Sequence, residues 1–172
     1  MSTRSCIIVK VRPSQAGQVV KFNEKNLPVA QEAWEFKDLN GEFFRSEVDE
    51  DKAKEVELKE KYIGIYCHSD GYPSGVGKVL KDLFNNYENA LNLVVGGDCS
   101  FVWFDGVRRY ATREGEEWKY LQPKQGKTPK TICNKMLGIE YCYLFDEENG
   151  EWLMSDMYAG KGKFKAYTGT EE

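Results

Sequence analysis

The chain contains one histidine, His68, and Asp70 stands two residues beyond it. In an extended strand, residues two apart point to the same face, so these side chains could share a proton. A carboxylate beside an imidazole holds its tautomer and raises its pKa, as a general base requires. Asp70-Gly71-Tyr72-Pro73 also reads as turn chemistry, in which the aspartate accepts local backbone bonds. His68 and Asp70 therefore admit two readings. They are the acid–base pair of a small hydrolase or transferase, or polar fixtures of a structural turn.

The same stretch runs on through Pro73-Ser74-Gly75-Val76-Gly77-Lys78 into an apolar stripe. A glycine-containing turn between a strand and a helix presents free N–H groups and the positive end of a dipole to anions. Tyr72, Gly75, Gly77 and Lys78 thus join His68 and Asp70 as candidate ligand-binding residues. A nucleoside-triphosphatase loop has the pattern G-x-x-x-x-G-K-[ST]. Here Tyr72 occupies the first glycine position and Val79 replaces the hydroxyl that would hold magnesium. What remains is a looser anion site.

A second candidate surface is basic. Lys119, Lys124, Lys127, Lys130 and Lys135 follow one another without an acidic residue between, and Arg108, Arg109 and Arg113 precede them. With Tyr110, Trp118 and Tyr120 interleaved, the segment suits phosphates or an acidic partner. Arg113 is the member assigned to the candidate site. The plainer alternative is a solvated loop balanced by Glu114, Glu116 and Glu117. A formal charge of −4 argues against a dedicated nucleic-acid binder, which would carry an excess of positive charge.

The five cysteines, at 6, 67, 99, 133 and 142, show no C-x-x-C spacing. Cys67 and His68, as strand neighbours, face opposite ways. The expectation is no disulfide framework, no metal site and no cofactor. The first residues lack a long apolar core and no apolar run nears the ~18 residues of a membrane span, so a reduced, cytoplasmic protein without membrane association is expected.

These residues need a scaffold. A length of 172 residues with 41% hydrophobic side chains suits one well-cored domain over residues 1–172. Residues 4–12 contain S-C-I-I-V-K-V, a β-branched run ended by Pro13 that reads as a strand, with residues 18–22 as its possible hairpin partner. Residues 32–48 form a hairpin about Asn40-Gly41, whose residues favour the positive φ of a two-residue turn. Residues 47–61 are mixed charge and read as a solvated connector or a short helix. Tyr62–Cys67 is a buried strand. Val76, Val79, Leu80, Leu83 and Phe84 then fall at helical spacing, with Ser74 as cap. A second helix starts at Asn86 and closes at Gly96-Gly97. Strands follow at 98–104, 107–113 and 118–121, then a loop over 122–130. A third helix capped by Thr128 buries Ile132, Cys133, Met136 and Leu137 and ends at Gly138. A terminal hairpin turning at 147–150 and a last strand over 163–168 complete an α+β fold, mainly an antiparallel sheet with about three short helices.

Residues 66–77, Y-C-H-S-D-G-Y-P-S-G-V-G, resemble the motif Y-C-H-W-D-G-Y-P-x-x-V-G of small uncharacterised proteins of tailed bacteriophages and prophages. Thr3-Arg4 before the first strand and Gly97-Asp98-Cys99-Ser100 after the second helix match further features of that family. The likeness covers residues 3–10 and 62–100, and departs at Ser69, where the motif has Trp. It carries no established reaction and implies an accessory phage protein. Many such proteins bind and block host machinery, including antiviral defence systems. The reading that follows is a non-enzymatic binding protein that occupies a host protein or sequesters a small anionic ligand such as a nucleotide. A purely structural role is the further alternative.

Overall fold

The computed structural model of the chain describes residues 2–23, 26–28, 55–114, 117–157 and 163–169, with backbone alone for 111–114 and 117–120. The expected hairpin at 32–48 lies outside these residues. Twelve strands are described: β1 (Ser5–Lys10), β2 (Val19–Lys21), β3 (Glu55–Glu57), β4 (Tyr62–Cys67), β5 (Cys99–Trp103), β6 (Gly106–Arg109), β7 (Ala111–Glu114), β8 (Glu117–Tyr120), β9 (Lys124–Gly126), β10 (Tyr141–Asp146), β11 (Glu151–Asp156) and β12 (Lys165–Ala166). The α-helices are α1 (Lys78–Leu83), α2 (Tyr87–Val95) and α3 (Pro129–Cys133).

Eight strands form one sheet in the order β12-β11-β10-β1-β4-β5-β6, with β9 also on β4. The fold is α+β and its pairings are mostly antiparallel. The exceptions are β1 with β10, at the centre of the sheet, and a single-residue pairing of β4 with β5. Alternation along β1 divides the interior in two, because successive side chains leave opposite faces. Ile7 and Val9 join Ile63, Ile65, Tyr143 and Phe145 in the larger core with α1 and α2. Cys6 and Ile8 join Cys142, Leu144, Ile132 and Cys133 in a smaller core under α3. Covered on both faces, β1 is buried from Ser5 through Val9, which explains its run of apolar residues.

Several expectations need correction. β2 pairs with β3 in a separate two-stranded sheet and not with β1, because Gly17 and Leu58 tie that turn to the supposed connector. The connector is accordingly not merely solvated: Val56 and Leu58 are both buried in the larger core. The segment at 122–130 is not only loop, since Lys124–Gly126 pairs with the start of β4. Ser74 caps nothing; the chain enters α1 through a π-turn, Pro73–Gly77, whose capping position is held by Tyr72. α3 ends at Cys133, and Leu137 is 84% exposed.

Two caps match expectation. Asn86 Oδ1 accepts from the Asn89 N–H at 2.8 Å, and Thr128 Oγ1 from the Thr131 N–H at 3.1 Å, with Pro129 at the first helical position. Replacing Asn86 by Ala should cost roughly 1 kcal/mol. In a chain of this size that lowers Tm by about 3 °C in a thermal melt. Among the described residues no helix is long and apolar enough to cross a membrane.

Candidate functional site

After β4 the chain leaves the sheet gradually. His68 and Ser69 donate their N–H groups to the carbonyls of Cys99 and Ser100, at 3.0 and 2.8 Å. Asp70 then takes φ 58°, the only positive value at a non-glycine among the described residues. Aspartate tolerates this region better than most side chains. The turn closes on itself: Gly71 donates to Thr3 O, Gly75 to Tyr72 O and Val76 to Asp70 O, all at 2.8–2.9 Å. Two buried tyrosines fasten it from below, Tyr143 Oη donating to Gly71 O at 2.7 Å and Tyr167 Oη to Pro73 O at 2.6 Å. Burial pushes the Tyr143 phenol well above its ordinary pKa and keeps the donating proton in place. The backbone N–H groups expected to hold an anion are thus largely engaged within the chain.

The candidate side chains separate into different surroundings. Asp70 Oδ2 accepts from the Trp103 indole N–H at 3.0 Å, while His68 Nδ1 meets the Tyr66 hydroxyl at 2.7 Å. The two polar contacts thus go to different partners. Tyr72 is exposed. Gly75 packs against the backbone of Asp70, and Gly77 backs onto the rings of Tyr143 and Tyr167. Lys78 lies one turn before Asp82, with Nζ 3.3 Å from its carboxylate. Arg113 stands on β7, opposite Trp118 in the β7–β8 hairpin. The basic run is partly occupied as well. Lys124 pairs with the buried Asp98 at 3.1 Å, and Lys135 donates to Gln125 O at 2.8 Å.

What the fold builds around His68 is a cleft of about 290 Å³, lined by Ser2, Arg4, His68, Gly138 and Glu140. It opens where β4 ends and where β1 and β10 begin. The segment before β10 is bound to the N-terminal strand: Glu140 donates its N–H to Arg4 O at 2.9 Å, and its Oε2 accepts from the Arg4 N–H at 3.2 Å. Gly138, at φ 69°, lets the Arg4 side chain pass so closely that a Cβ there would lie 2.9 Å from Nη1. Tyr66 and Tyr110 stack with centroids 6.5 Å apart, and the His68 ring meets Tyr110 edge-on at 6.3 Å. Burial raises both phenols, opposed by the positive charge of Arg4. Both therefore stay protonated at neutral pH. His68 and Tyr66 share one hydrogen bond whose direction depends on the imidazole tautomer, and Nε2 takes the complementary role.

No family model, curated protein or solved structure matches the chain. The cleft therefore has to be read from its chemistry. It offers a guanidinium, a carboxylate and an imidazole within one small volume, with the Tyr66 phenol hydrogen-bonded to the imidazole from outside the lining. In the sequence Arg4 stands out only as a neighbour of the first strand, and nothing there marks Glu140 or Gly138 as site residues. Their convergence depends on β10 lying parallel beside β1, and no local spacing announces that pairing. A second convergence is equally invisible in one dimension. Cys6, Cys133 and Cys142 bring their sulfur atoms within 4.8 Å of one another.

Proposed function

We propose that this is a non-catalytic binding protein that holds a small anionic ligand of the nucleotide class in the Arg4–His68–Glu140 cleft. The observation that carries the reading is the composition of that cleft. Arg4 supplies a planar cation for a phosphate or carboxylate, and Glu140 accepts from ribose hydroxyls or a base amino group. The His68 ring is the planar group in the lining, and Tyr66 holds it through a hydrogen bond at Nδ1. A volume of about 290 Å³ sits at the small end of ligand pockets, appropriate to one nucleotide and not to a polymer. Sequestration is favoured over turnover because Nδ1 of His68 meets a phenol, which cannot stabilise an imidazolium as a carboxylate would. A small ligand is favoured over a host protein because the large hydrophobics exposed among the described residues are scattered: Val19, Tyr72 and Leu137. The resemblance of residues 66–77 to the phage motif supplies the biological setting, an accessory protein that withdraws a host metabolite or signal.

Thermal melts across a panel of mono-, di- and cyclic nucleotides test this. At a hundredfold excess over Kd, a true ligand should raise Tm by about 8 °C, since binding to the folded state alone adds about 2.7 kcal/mol. Arg4→Gln should weaken that ligand at least tenfold, and the bound nucleotide should be recovered unaltered. A Tm unmoved by every member of the panel sinks the proposal. Recovery of a hydrolysed or transferred product would instead make the cleft an active site with His68 as its base.

A further inference from the structure

The smaller core contains a constellation that the cleft does not use. Cys6 lies on β1 and Cys142 directly beside it on β10, in parallel register. Side chains at matched positions of adjacent parallel strands leave the same face of the sheet. Cys133, the last residue of α3, lies over that face, and the three Sγ atoms fall within 4.8 Å of one another. All three thiols are free and buried; Cys133 is 7% exposed and the other two are fully enclosed. Three thiols meeting by chance in an apolar core would be weak hydrogen-bonding groups among aliphatic side chains. Thiolates in such an environment require a cation.

We infer that Cys6, Cys133 and Cys142 form a binding site for one soft d10 metal ion, best matched to Cu(I), held by three sulfur ligands. Metal–sulfur bonds of about 2.3 Å place ligand sulfurs roughly 4 Å apart, a separation this cluster already approaches. Structural Zn(II) sites take four protein ligands, whereas no histidine, aspartate or glutamate joins this group among the described residues. The other sulfur atoms packed against this core are the thioethers of Met136 and Met157. Soft sulfur donors suit Cu(I) and zinc alike, and a set of three, one short of a structural zinc site, favours Cu(I). Each thiolate formed on binding releases its proton to solvent, so uptake should strengthen with pH. Occupancy would staple the five-residue α3 to the two central strands. It would also fix the start of the segment that carries Gly138 and Glu140 into the cleft wall.

The test uses the full chain, reduced and kept anaerobic. It is titrated with Cu(I) against a chromophoric Cu(I) chelator and, separately, with Zn(II) against a zinc indicator. The expected result is one equivalent of Cu(I) retained, a rise in Tm, and Zn(II) held at least a hundredfold more weakly. Cys133→Ser, the substitution nearest the surface, should weaken Cu(I) at least a hundredfold, with circular dichroism confirming the fold. Cys67→Ala, in the other core, should leave the stoichiometry at one. In the unsubstituted protein, Cu(I) should protect Cys133 from iodoacetamide, a readout that depends on no variant. Less than one equivalent bound, or Cys133 alkylated equally with and without metal, overturns the assignment. So does a disulfide among these three residues in freshly isolated protein. Tighter binding of Zn(II) than of Cu(I) would overturn the choice of ion.

Discussion

Gly75→Ala is expected to cost about 3 kcal/mol or more, which would show as a fall of roughly 9 °C in Tm. A Cβ at position 75 would lie 2.3 Å from the carbonyl oxygen of Asp70 and 3.0 Å from the Tyr72 ring. The oxygen cannot give way cheaply. It is the acceptor of the Val76 N–H at 2.8 Å, and it belongs to the one non-glycine residue with positive φ among those described. Relieving the clash therefore breaks the hydrogen bond that closes the turn and disturbs a strained residue together. The exposed edge of the Tyr72 ring can swing aside; the backbone contact decides the outcome. Chemical denaturation checks the prediction, and a loss below 1 kcal/mol would show that the turn can reshape. Because Gly75 lies outside the cleft, nucleotide affinity per folded molecule should survive the substitution.

Local order was legible where a residue type does one physical thing. Asn86 and Thr128 cap their helices, and Gly150, at φ 67°, turns the terminal hairpin, as the sequence indicates. The strand at Tyr62–Cys67 was equally plain from its apolar run. Failures occurred where tertiary pairing overrode composition. Val56 and Leu58 sit among charged residues, yet β3 carries Val56 into the core and the backbone bonds of Leu58 to Gly17 and Gln18 bring it after, because β2 needs a partner. Lys124–Gly126 has loop-like neighbours, yet the open edge of β4 recruits it. The candidate site divides the same way. The turn at 68–77 could be found from its glycines, but its carbonyls and amides serve Tyr143, Tyr167 and Thr3, partners distant in sequence. Arg4 and Glu140, like the three cysteines, meet only because β1 and β10 run parallel at the sheet centre, a long-range pairing without a turn to mark it.

Asp98→Ala should destabilise the protein by about 3 kcal/mol, for a reason peculiar to the edge of β4. That edge is shared: β9 pairs along Tyr62–Gly64, and β5 takes over only at Cys67. The Tyr66 N–H falls in the gap between them. Asp98 Oδ1 fills the gap by accepting from it at 2.9 Å, while Oδ2 holds Lys124 at 3.1 Å and so anchors the end of β9. Its backbone does a third task, donating to Leu121 O and accepting from Tyr110 N. Asp98 is 5% exposed, so deletion of its carboxylate leaves a buried N–H and a partly buried ammonium without their partner. Asp98→Asn keeps an acceptor for Tyr66 but not the charge, and should lose about half as much, since a charged hydrogen bond is worth roughly twice a neutral one. If the two substitutions cost the same, the ion pair with Lys124 carries the effect and the Tyr66 bond little. Tyr66 is also the residue that meets His68, so loosening it should reach the cleft. Asp98→Ala is therefore expected to weaken nucleotide binding as well as stability, whereas Gly75→Ala should affect stability alone. Measuring both variants in the same pair of assays separates the turn at 68–77, which supports the fold, from the Asp98–Tyr66 contact, which also orients the site.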